Sequence, residues 1–432
     1  MGEKKMVLVF DSGTTNTKAF LFDEKGEILA FASHPTNVIH PAVGMVEQKA
    51  NFWWEAVIKA TKKIQMSPYW KKNKISALSV SSQGGTFVLL DKNSSPLRPG
   101  ITWLDSRGES ISRYLNKKYG KEYFFKKTGH YLGNWSPPCV YLYLKKKEPS
   151  VISQMRKLSF VSDYLNFKLT GRFFLDPTAA QMSCFYNIVK GTWDKDILEI
   201  AGVKEENLPL VIGSYRIGGE VSEEASKILD IPEGIPVFGG GHDQYCASLG
   251  AGAVRKGDCL LSCGTAWALL VVTEGPVFIP GSGWLPGRYL IDKHFGLMYA
   301  IGNGGVVLDW IRKNIKTRMV SRDEKVEVIP HFTENKGIIR NIGLSTTGYD
   351  ILNAGIKALV FQVKNALEII SKIGIKRILM VGGGTKEKML PELIEKYTGI
   401  KVIVPEVREA AGKGAFLLTK GKEGLDGILG RY

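Results

Sequence analysis

The chain has 432 residues, of which 44% are hydrophobic and 23% charged. This length suits two domains of about 200 residues each, and the ordinary composition excludes extensive disorder. The net charge of +16 would suit nucleic acid or small anionic ligands. The lysines are scattered, however, and the densest runs lack interleaved aromatic residues. We therefore expect no nucleic-acid partner.

The cysteines are few, odd in number and never spaced as C-x-x-C. This pattern predicts reduced thiols and a cytoplasmic protein rather than a disulfide framework or a zinc site. No run of 18 apolar residues occurs in the sequence, so we expect no membrane partner. Nothing in the sequence sets the oligomeric state, and a homodimer is one possibility.

The N-terminal half begins with a predicted meander of three strands, Met6–Phe10, Lys18–Asp23 and Glu27–Ser33. A polar turn, Asp11–Thr17, joins the first two. Helical spacing follows at Asn51–Ile64, and further strands and helices alternate as far as a short buried strand at Ile235–Gly239. We place the domain boundary between residues 236 and 237.

The second half repeats the opening pattern. Asp258–Ser262 and Ala266–Thr273 are predicted strands, joined by Cys263-Gly264-Thr265. Gly-Thr therefore stands in the first hairpin of each half, which favours an internal duplication over coincidence. A long helix at Thr347–Ile373, a strand at Arg377–Val381 and a glycine turn at 382–385 complete an α/β layering.

Three polar or glycine-rich segments are candidates for chemistry. The loop from Asp11 to Lys18 offers backbone N–H groups, hydroxyls and a cation to an oxyanion, although a plain β-turn would look similar. Gly239–Gly241 end a strand just before Asp243, which could accept a proton from a hydroxyl or could cap the following helix. The turn at 382–385 is typical of nucleotide-binding corners, and also of many strand-to-helix corners.

Trp103, Asp105 and Arg107 combine a flat ring, a carboxylate and a guanidinium. Sugars are bound by such sets, because their apolar faces stack on rings and their hydroxyls bond to polar groups. A structural Asp–Arg pair at a helix start would give the same pattern. The spacing alone does not choose between the two.

Taken in order, these motifs resemble the FGGY family of carbohydrate kinases over nearly the whole chain. The matching segments are DSGTTNTK from Asp11, GMVEQ from Gly44, residues 79–105, GGGHDQYCASLGAG from Gly239, SCGTAW from Ser262, VGGGT from Val381 and EAAGKGAF from Glu409. The resemblance implies an α/β fold of two ribonuclease-H-like (actin/hexokinase-type) domains with a cleft between them. It further implies ATP-dependent phosphorylation of a small sugar, sugar acid or polyol, with Mg²⁺ as cofactor. Residues 1–236 would bind the sugar, and residues 237–432 the nucleotide.

The resemblance also implies residue roles. Asp243 would be the general base and Asp11 would help to hold Mg²⁺. The residues near the sugar would be Gln83, Trp103, Asp105 and Gln244. The residues that contact ATP would be Thr14, Thr15, Lys18, Gly264, Thr265, Gly304, Gly383, Gly384 and Lys388.

Some positions depart from the family pattern. Lys388 and Asp309 stand where the family usually has Asn and Gln near the nucleotide, and Gly84 and Gly85 replace large side chains that read the sugar in several subfamilies. The substrate is therefore not predicted. Two other interpretations remain: a non-catalytic sensor of sugar and nucleotide, and an ATPase of the actin or chaperone type.

Overall fold

A computed structural model of the protein describes residues 5–264, 266–316, 325–331 and 336–429. The chain forms two compact units. The first contains the described residues up to Gly250, the segment Pro286–Phe295 and the C-terminal segment from Ala411. The second contains Ala251–Leu285 and the described residues of Gly296–Ala410.

The strands run in chain order along both units. They are β1 Met6–Ser12, β2 Asn16–Phe22, β3 Ile28–Pro35, β4 Glu47–Gln48, β5 Ile75–Ser82, β6 Phe87–Leu90, β7 Gly100–Ile101, β8 Lys157–Phe160, β9 Phe174–Leu175, β10 Tyr186–Asn187, β11 Thr192–Trp193, β12 Leu210–Val211, β13 Ile217–Glu220, β14 Pro236–His242, β15 Asp258–Cys263, β16 Trp267–Thr273, β17 Leu285–Arg288, β18 Phe295–Ile301, β19 Glu327–Ile329, β20 Ile338–Arg340, β21 Arg377–Val381 and β22 Val402–Ile403.

The α-helices follow in the same way. They are α1 Ala50–Gln65, α2 Glu109–Tyr119, α3 Lys121–Thr128, α4 Pro137–Lys147, α5 Pro149–Gln154, α6 Val161–Thr170, α7 Pro177–Gln181, α8 Lys195–Ala201, α9 Glu223–Leu229, α10 Asp243–Gly250, α11 Gly305–Asn314, α12 Gly348–Ile369, α13 Met389–Thr398, α14 Ala410–Leu418 and α15 Gly421–Leu429. Within the described residues, no helix combines the length and the apolar character needed to cross a lipid bilayer.

The first unit is built on a sheet of order β13-β14-β5-β1-β2-β3. The hairpin pairs of β1 with β2 and of β2 with β3 are antiparallel, whereas β5 runs parallel to both β1 and β14. Helix α1 buries Trp53, Val57 and Ile64 in the core on this sheet. The carboxyl ends of β1, β5 and β14 therefore meet at one edge.

In the second unit, strands β18, β16, β15, β21 and β22 are consecutive neighbours in a single sheet. The hairpin of β15 and β16 is antiparallel, and β21 runs parallel to β15 and to β22. The long helix α12 buries Leu359 and Val363 in the core of this unit. In each unit an antiparallel hairpin is followed by two strands that run parallel (β2-β1-β5-β14 and β16-β15-β21-β22), and this shared order agrees with the internal duplication predicted from the two Gly-Thr hairpins.

Most predicted elements are confirmed to within a few residues, with one difference that matters at the site. Strand β1 continues through Asp11 to Ser12, and only Gly13–Thr15 form the turn, closed by a Gly13 N–H bond to the Asn16 carbonyl oxygen (2.9 Å). Asp11 is therefore held on a strand rather than in a loop. The five cysteines are buried free thiols, as predicted.

The domain boundary was placed between residues 236 and 237, where β14 begins. The compact units divide the chain later, after Gly250, and the first unit also takes up two later segments. Strand β14 and Asp243 thus belong to the first unit. The division into a sugar-binding and a nucleotide-binding part stays a prediction.

Candidate active site

One edge of the first sheet collects the polar residues that the sequence singled out. Asp11 on β1 is the partner of Lys18 on β2 and of Ser81 on β5. Its carboxylate accepts a hydrogen bond from the Ser81 hydroxyl (2.8 Å). In the next row, Ser82 is paired both with Ser12 on β1 and with His242 on β14. Asp11 on β1 and Asp243, directly after β14, thus lie at the same edge of the sheet. Their strands are two positions apart in the sheet, which corresponds to a backbone spacing of roughly 10 Å.

The turn between β1 and β2 is anchored by a network of side chains. The Thr14 hydroxyl donates to Oε1 of Gln83 (2.9 Å), and the Gln83 amide donates to Oε1 of Gln48 (3.0 Å). The Gln48 amide donates in turn to the Thr14 carbonyl oxygen (2.6 Å). Thr15, by contrast, is exposed. This network fixes the shape of the predicted phosphate loop.

Gln83 and Trp103, both predicted near the sugar, differ in what they can offer. Gln83 is buried, and its Oε1 also accepts from the Thr86 hydroxyl (3.1 Å), so its amide is occupied inside the protein. Trp103 is 42% exposed, while its indole N–H donates to the Thr14 hydroxyl (2.9 Å). The Trp103 ring is thus a fixed and accessible surface on which a sugar could stack.

Asp105 lies in a buried charge cluster. Its carboxylate accepts from the Val46 N–H (2.7 Å) and from the Arg107 N–H, Nε and Nη2 (2.8, 2.9 and 2.9 Å). Arg107 also pairs with Glu47 (2.7 Å). This is the structural Asp–Arg pair that the sequence left open. Sugar contact by Asp105 stays a prediction, and this geometry does not favour it because the carboxylate is enclosed and already bonded.

Asp243 follows β14 and is the first residue of α10. Its side chain is 29% exposed, and Oδ1 accepts the N–H of Gln244 (2.6 Å). Helix caps accept from residues two or three positions further on, so this is not an ordinary cap. Burial raises the pKa of Asp243 to about 6. A carboxylate with such a pKa is a stronger base than an ordinary aspartate and is still ionised at neutral pH.

Two neutral histidines lie in this region. Burial lowers the pKa of His242, which adjoins Asp243, to about 4, and burial together with His242 lowers that of His130 to about 4 as well. Gln244, predicted near the sugar, is half-buried, and among the described residues its buried Oε1 has no hydrogen-bond partner. These groups can offer hydrogen bonds to a substrate but carry no charge at neutral pH.

A buried thiol shows that the acidic residues converge. Burial raises the pKa of Cys246, and the nearby carboxylates of Asp176, Asp11 and Asp243 raise it further. Asp11 and Asp243 are thus neighbours in the fold although 232 positions separate them. The sequence suggested this only through the family resemblance.

Several residues of this region were not predicted. The Thr178 hydroxyl accepts the backbone N–H of His242 (2.9 Å), and the Asp176 carboxylate in turn accepts from the Thr178 hydroxyl (2.8 Å). Gly84 lies against the His242 ring and Met182, each 2.6 Å from where a Cβ would stand. These contacts join distant segments, so the only sequence signal was the position of Gly84 after Gln83.

In the second unit, predicted nucleotide residues come together around a cavity of about 510 Å³. The cavity is lined by the following residues: Cys263, Gly264, Trp267, Gly305, Leu308, Asp309, Arg312, Gly383, Gly384, Lys386 and Glu387. The N–H of Gly305 donates to the carbonyl oxygen of Gly264 (3.2 Å), which joins two of the predicted glycine segments. Cavities of this size typically hold small organic ligands.

Glycines are required where these segments touch. A Cβ on Gly304 would lie 2.1 Å from Cδ1 of Trp267, and one on Gly384 would lie 2.6 Å from Cβ of Cys263. Gly304 immediately precedes α11, whose N-terminal N–H groups favour anions. Thr265, a predicted phosphate residue, lies outside the described residues.

The remaining lining residues were not predicted as contacts. Arg312 forms an ion pair with Glu387 (2.6 Å), and Lys386 stands at the cavity, whereas the predicted Lys388 is exposed and does not line it. A role for Lys388 in nucleotide binding stays a prediction.

The described residues contain no group of three or more His, Cys, Asp or Glu side chains that could hold a metal ion. Mg²⁺ at a phosphotransferase site needs only one or two carboxylates, because water and substrate phosphates complete its shell. Asp11, half-buried at the edge of the sheet with Ser81 beside it, fits that requirement.

The repeated sheet, with helices packed on it, defines a two-domain fold of the actin and hexokinase type. A model of the N-terminal domain of the FGGY family of carbohydrate kinases matches residues 6–250, and the model of the C-terminal domain matches residues 326–420. The chain therefore belongs to the FGGY family of carbohydrate kinases, which are ATP-dependent phosphotransferases.

The proteins that this chain resembles are named as kinases of different substrates. The chain is 23% identical to a gluconokinase from Bacillus subtilis (strain 168), covering 95% of this chain and 86% of that protein. It is 26% identical to a glycerol kinase from Thermococcus onnurineus (strain NA1), covering 96% and 88%. The crystal structure of ligand-bound xylulose kinase from Lactobacillus acidophilus has a TM-score of 0.89 at 23% identity, covering 99% and 90%. A sugar or polyol kinase is what these relatives share.

Proposed function

We propose that this kinase transfers the γ-phosphoryl group of Mg-ATP to a hydroxyl group of a small sugar, sugar acid or polyol, with Asp243 as general base. The observation that supports the proposal is the state of Asp243. One of its oxygens is held by the Gln244 N–H, burial raises its pKa to about 6, and it directly follows β14, a strand that ends at the edge that carries Asp11.

In the proposed reaction, the Asp243 carboxylate takes the proton from the substrate hydroxyl. The hydroxyl oxygen forms a bond to the γ-phosphorus, and the bond between that phosphorus and the bridging β–γ oxygen breaks, which leaves ADP. Phosphoryl transfer of this kind depends on positioning and on charge stabilisation.

The other residues have positioning roles in the proposal. The Gly13–Thr15 turn and Lys18 would contact the terminal phosphates, and the cavity formed by Gly264, Gly383 and their neighbours would hold the nucleotide. Trp103 would stack on the carbon face of the sugar. Asp11 would hold Mg²⁺, which neutralises phosphate charge when bound.

The test is ADP release by the purified enzyme with ATP and Mg²⁺. The acceptors should include glycerol, xylulose and gluconate, which the names of the relatives suggest, and further ketoses and polyols. We expect sugar-dependent turnover with at least one acceptor. In Asp243→Asn, turnover should fall by about 10²–10⁴-fold, while the affinity for ADP stays unchanged.

Two results would contradict the proposal. Normal turnover by Asp243→Asn would remove Asp243 as the base. ATP hydrolysis at a rate that no acceptor raises would indicate an ATPase, and tight binding of a sugar without turnover would indicate a sensor.

A further inference from the structure

His242, which no comparison or motif assigns, lies next to Asp243 in a fixed position. Its backbone N–H donates to the Thr178 hydroxyl (2.9 Å), and the ring packs edge-on against Tyr245 with centroids 5.8 Å apart. Gly84 lies against the other side of the ring, with His242 Cδ2 only 2.6 Å from where its Cβ would be. The residue is 6% exposed, so the imidazole has little freedom to turn.

The strand ahead of His242 is shaped to present it. The register of β14 against β5 shifts between Phe238 and Gly241, and such irregularities re-aim side chains near active sites. Gly240 in this stretch has φ of +70°, and a Cβ there would lie 1.9 Å from the Val80 carbonyl oxygen. The irregular stretch therefore requires glycine, and it sets where His242 and Asp243 point.

The imidazole faces the carboxylate through one nitrogen. His242 Nε2 is 3.4 Å from Asp243 Oδ1, a polar contact without hydrogen-bond geometry, and among the described residues the buried Nδ1 has no hydrogen-bond partner. A neutral imidazole carries a single N–H. A proton on Nε2 places a positive partial charge near the carboxylate, whereas a lone pair there would repel the carboxylate. We therefore assign the proton to Nε2.

This arrangement treats the two carboxylate oxygens differently. Oδ1 receives the Gln244 N–H (2.6 Å) and faces His242 Nε2. For Oδ2, no hydrogen bond from a described residue is present. Oδ2 is then the oxygen that is available to take a proton from the substrate.

We propose that His242 is a positioning residue, whose fixed ring and neutral Nε2–H dipole attract Oδ1 of Asp243 across 3.4 Å so that Oδ2 faces the substrate hydroxyl. The inference rests on the proposed function of Asp243. A neutral donor suits this task, because a cation at the same place would stabilise the carboxylate too strongly and make it a weaker base.

Other ionisable groups face this pair and must be considered in any pH experiment. His130 lies near His242 and is neutral at neutral pH for the same reason, burial. Behind Thr178, burial raises the pKa of Asp176 to about 6. Burial raises the pKa of Tyr245 and Cys246 as well, which keeps both protonated, and Asp11 lies on the same edge of the sheet.

The experiment compares His242→Leu, which removes the donor, with His242→Gln, whose side-chain amide can place an N–H near the original Nε2 position. Aspartate labelled with ¹³C in its carboxyl group reports the titration by NMR, and the signal absent from Asp243→Asn identifies Asp243 and separates it from Asp176. In His242→Leu, the pKa of Asp243 should rise from about 6 to about 7, and in His242→Gln it should stay near the wild-type value.

The same variants are assayed for the pH dependence of kcat/KM. Activity should rise with pH through the pKa of Asp243, so the acid limb of His242→Leu should lie at higher pH. Its maximal kcat should also fall about ten-fold while KM for the nucleotide is unchanged. Circular dichroism and the unfolding temperature check that both variants are folded.

The inference is overturned by a wild-type titration of Asp243 in folded His242→Leu, or by equal effects of the Leu and Gln variants, which would mean that only ring packing matters. If the wild-type enzyme phosphorylates no acceptor, the proposed function has failed, and the NMR titration still decides whether His242 stabilises the carboxylate.

Discussion

The indole N–H of Trp103 donates a 2.9 Å hydrogen bond to the hydroxyl of Thr14, 89 residues earlier in the chain. The same hydroxyl donates to Oε1 of Gln83 (2.9 Å). A residue predicted to contact the sugar is thereby tied to a residue predicted to contact phosphate. Both hydrogen bonds engage the Thr14 hydroxyl. Its main role is therefore to fix the position of the Gly13–Thr15 turn relative to the Trp103 ring.

Thr14→Val tests this positioning role. The substitution breaks both bonds, and we expect kcat/KM to fall roughly ten-fold with a higher KM for the sugar, because the Trp103 ring loses its anchor. Thr15→Val is the comparison: its exposed hydroxyl accepts from Asn16 Nδ2 (3.1 Å) and makes no bond to Trp103 or Gln83, so a lost phosphate contact there should raise the KM for ATP and leave the KM for the sugar unchanged. Steady-state kinetics with the best acceptor measure both, and equal losses would contradict the role given to Thr14.

The cavity of the second unit, proposed to hold the nucleotide, allows a second matched pair. A Cβ on Gly304 would lie 2.1 Å from Trp267 Cδ1 and 2.7 Å from the Trp267 backbone nitrogen, whereas one on Gly302 would meet nothing within 4 Å. Gly304→Ala should therefore weaken ADP binding about ten-fold or more, because relief of an overlap that costs about 1–3 kcal/mol displaces the Gly304 loop and the cavity-lining Trp267. Gly302→Ala should bind like the wild type. Calorimetric titration measures the affinity of both variants for ADP. An unchanged affinity in Gly304→Ala would mean that the loop at Gly304 takes no part in nucleotide binding.

Much of the fold could be predicted from the sequence, because the signals for its strands and turns are local. Alternating apolar residues and glycine turns specify β1, β2, β15 and β16, and the Gly-Thr dipeptides mark equivalent hairpins in two sheets of one strand order. The site is different in kind. Arg107 and Val46 enclose the Asp105 carboxylate, and Thr178 fixes His242 from 64 residues away. Both contacts depend on tertiary packing, which the spacing of residues in the sequence does not predict.

Charge at the cavity gives a third comparison. Lys386 lines the cavity, and Lys388, two positions on, is exposed and outside the lining. If the cavity holds the nucleotide, Lys386→Ala should weaken ADP binding by about three- to ten-fold at low salt, and the loss should shrink as salt screens the charge. Lys388→Ala tests the residue suggested by the family resemblance, and we expect a smaller effect. A larger loss in Lys388→Ala than in Lys386→Ala would reverse this assignment.

The last prediction concerns stability, through the buried residue Asp163 in the first turn of α6. Its Oδ1 accepts the Phe160 N–H (2.6 Å), and its Oδ2 lies 2.5 Å from the Ser159 hydroxyl. Burial raises the pKa of Asp163 from 3.8 to about 7. Between these values the folded protein binds a proton that the unfolded chain has lost, so this group makes the folded state less favourable as pH rises from about 4 to about 7.

An asparagine at this position keeps the acceptor for Phe160 and presents a donor to Ser159, as the protonated acid does. Asp163→Asn should therefore unfold with nearly the wild-type free energy at pH 4 or below, and its advantage over the wild type should grow with pH to a few kcal/mol at pH 8. Chemical denaturation at a series of pH values measures the difference. Asp230→Asn, which removes an exposed ion pair with Lys72, is the control and should change stability little at either pH. A difference between Asp163→Asn and the wild type that stays constant from pH 5 to pH 8 would mean that Asp163 is already ionised in the folded protein at pH 5.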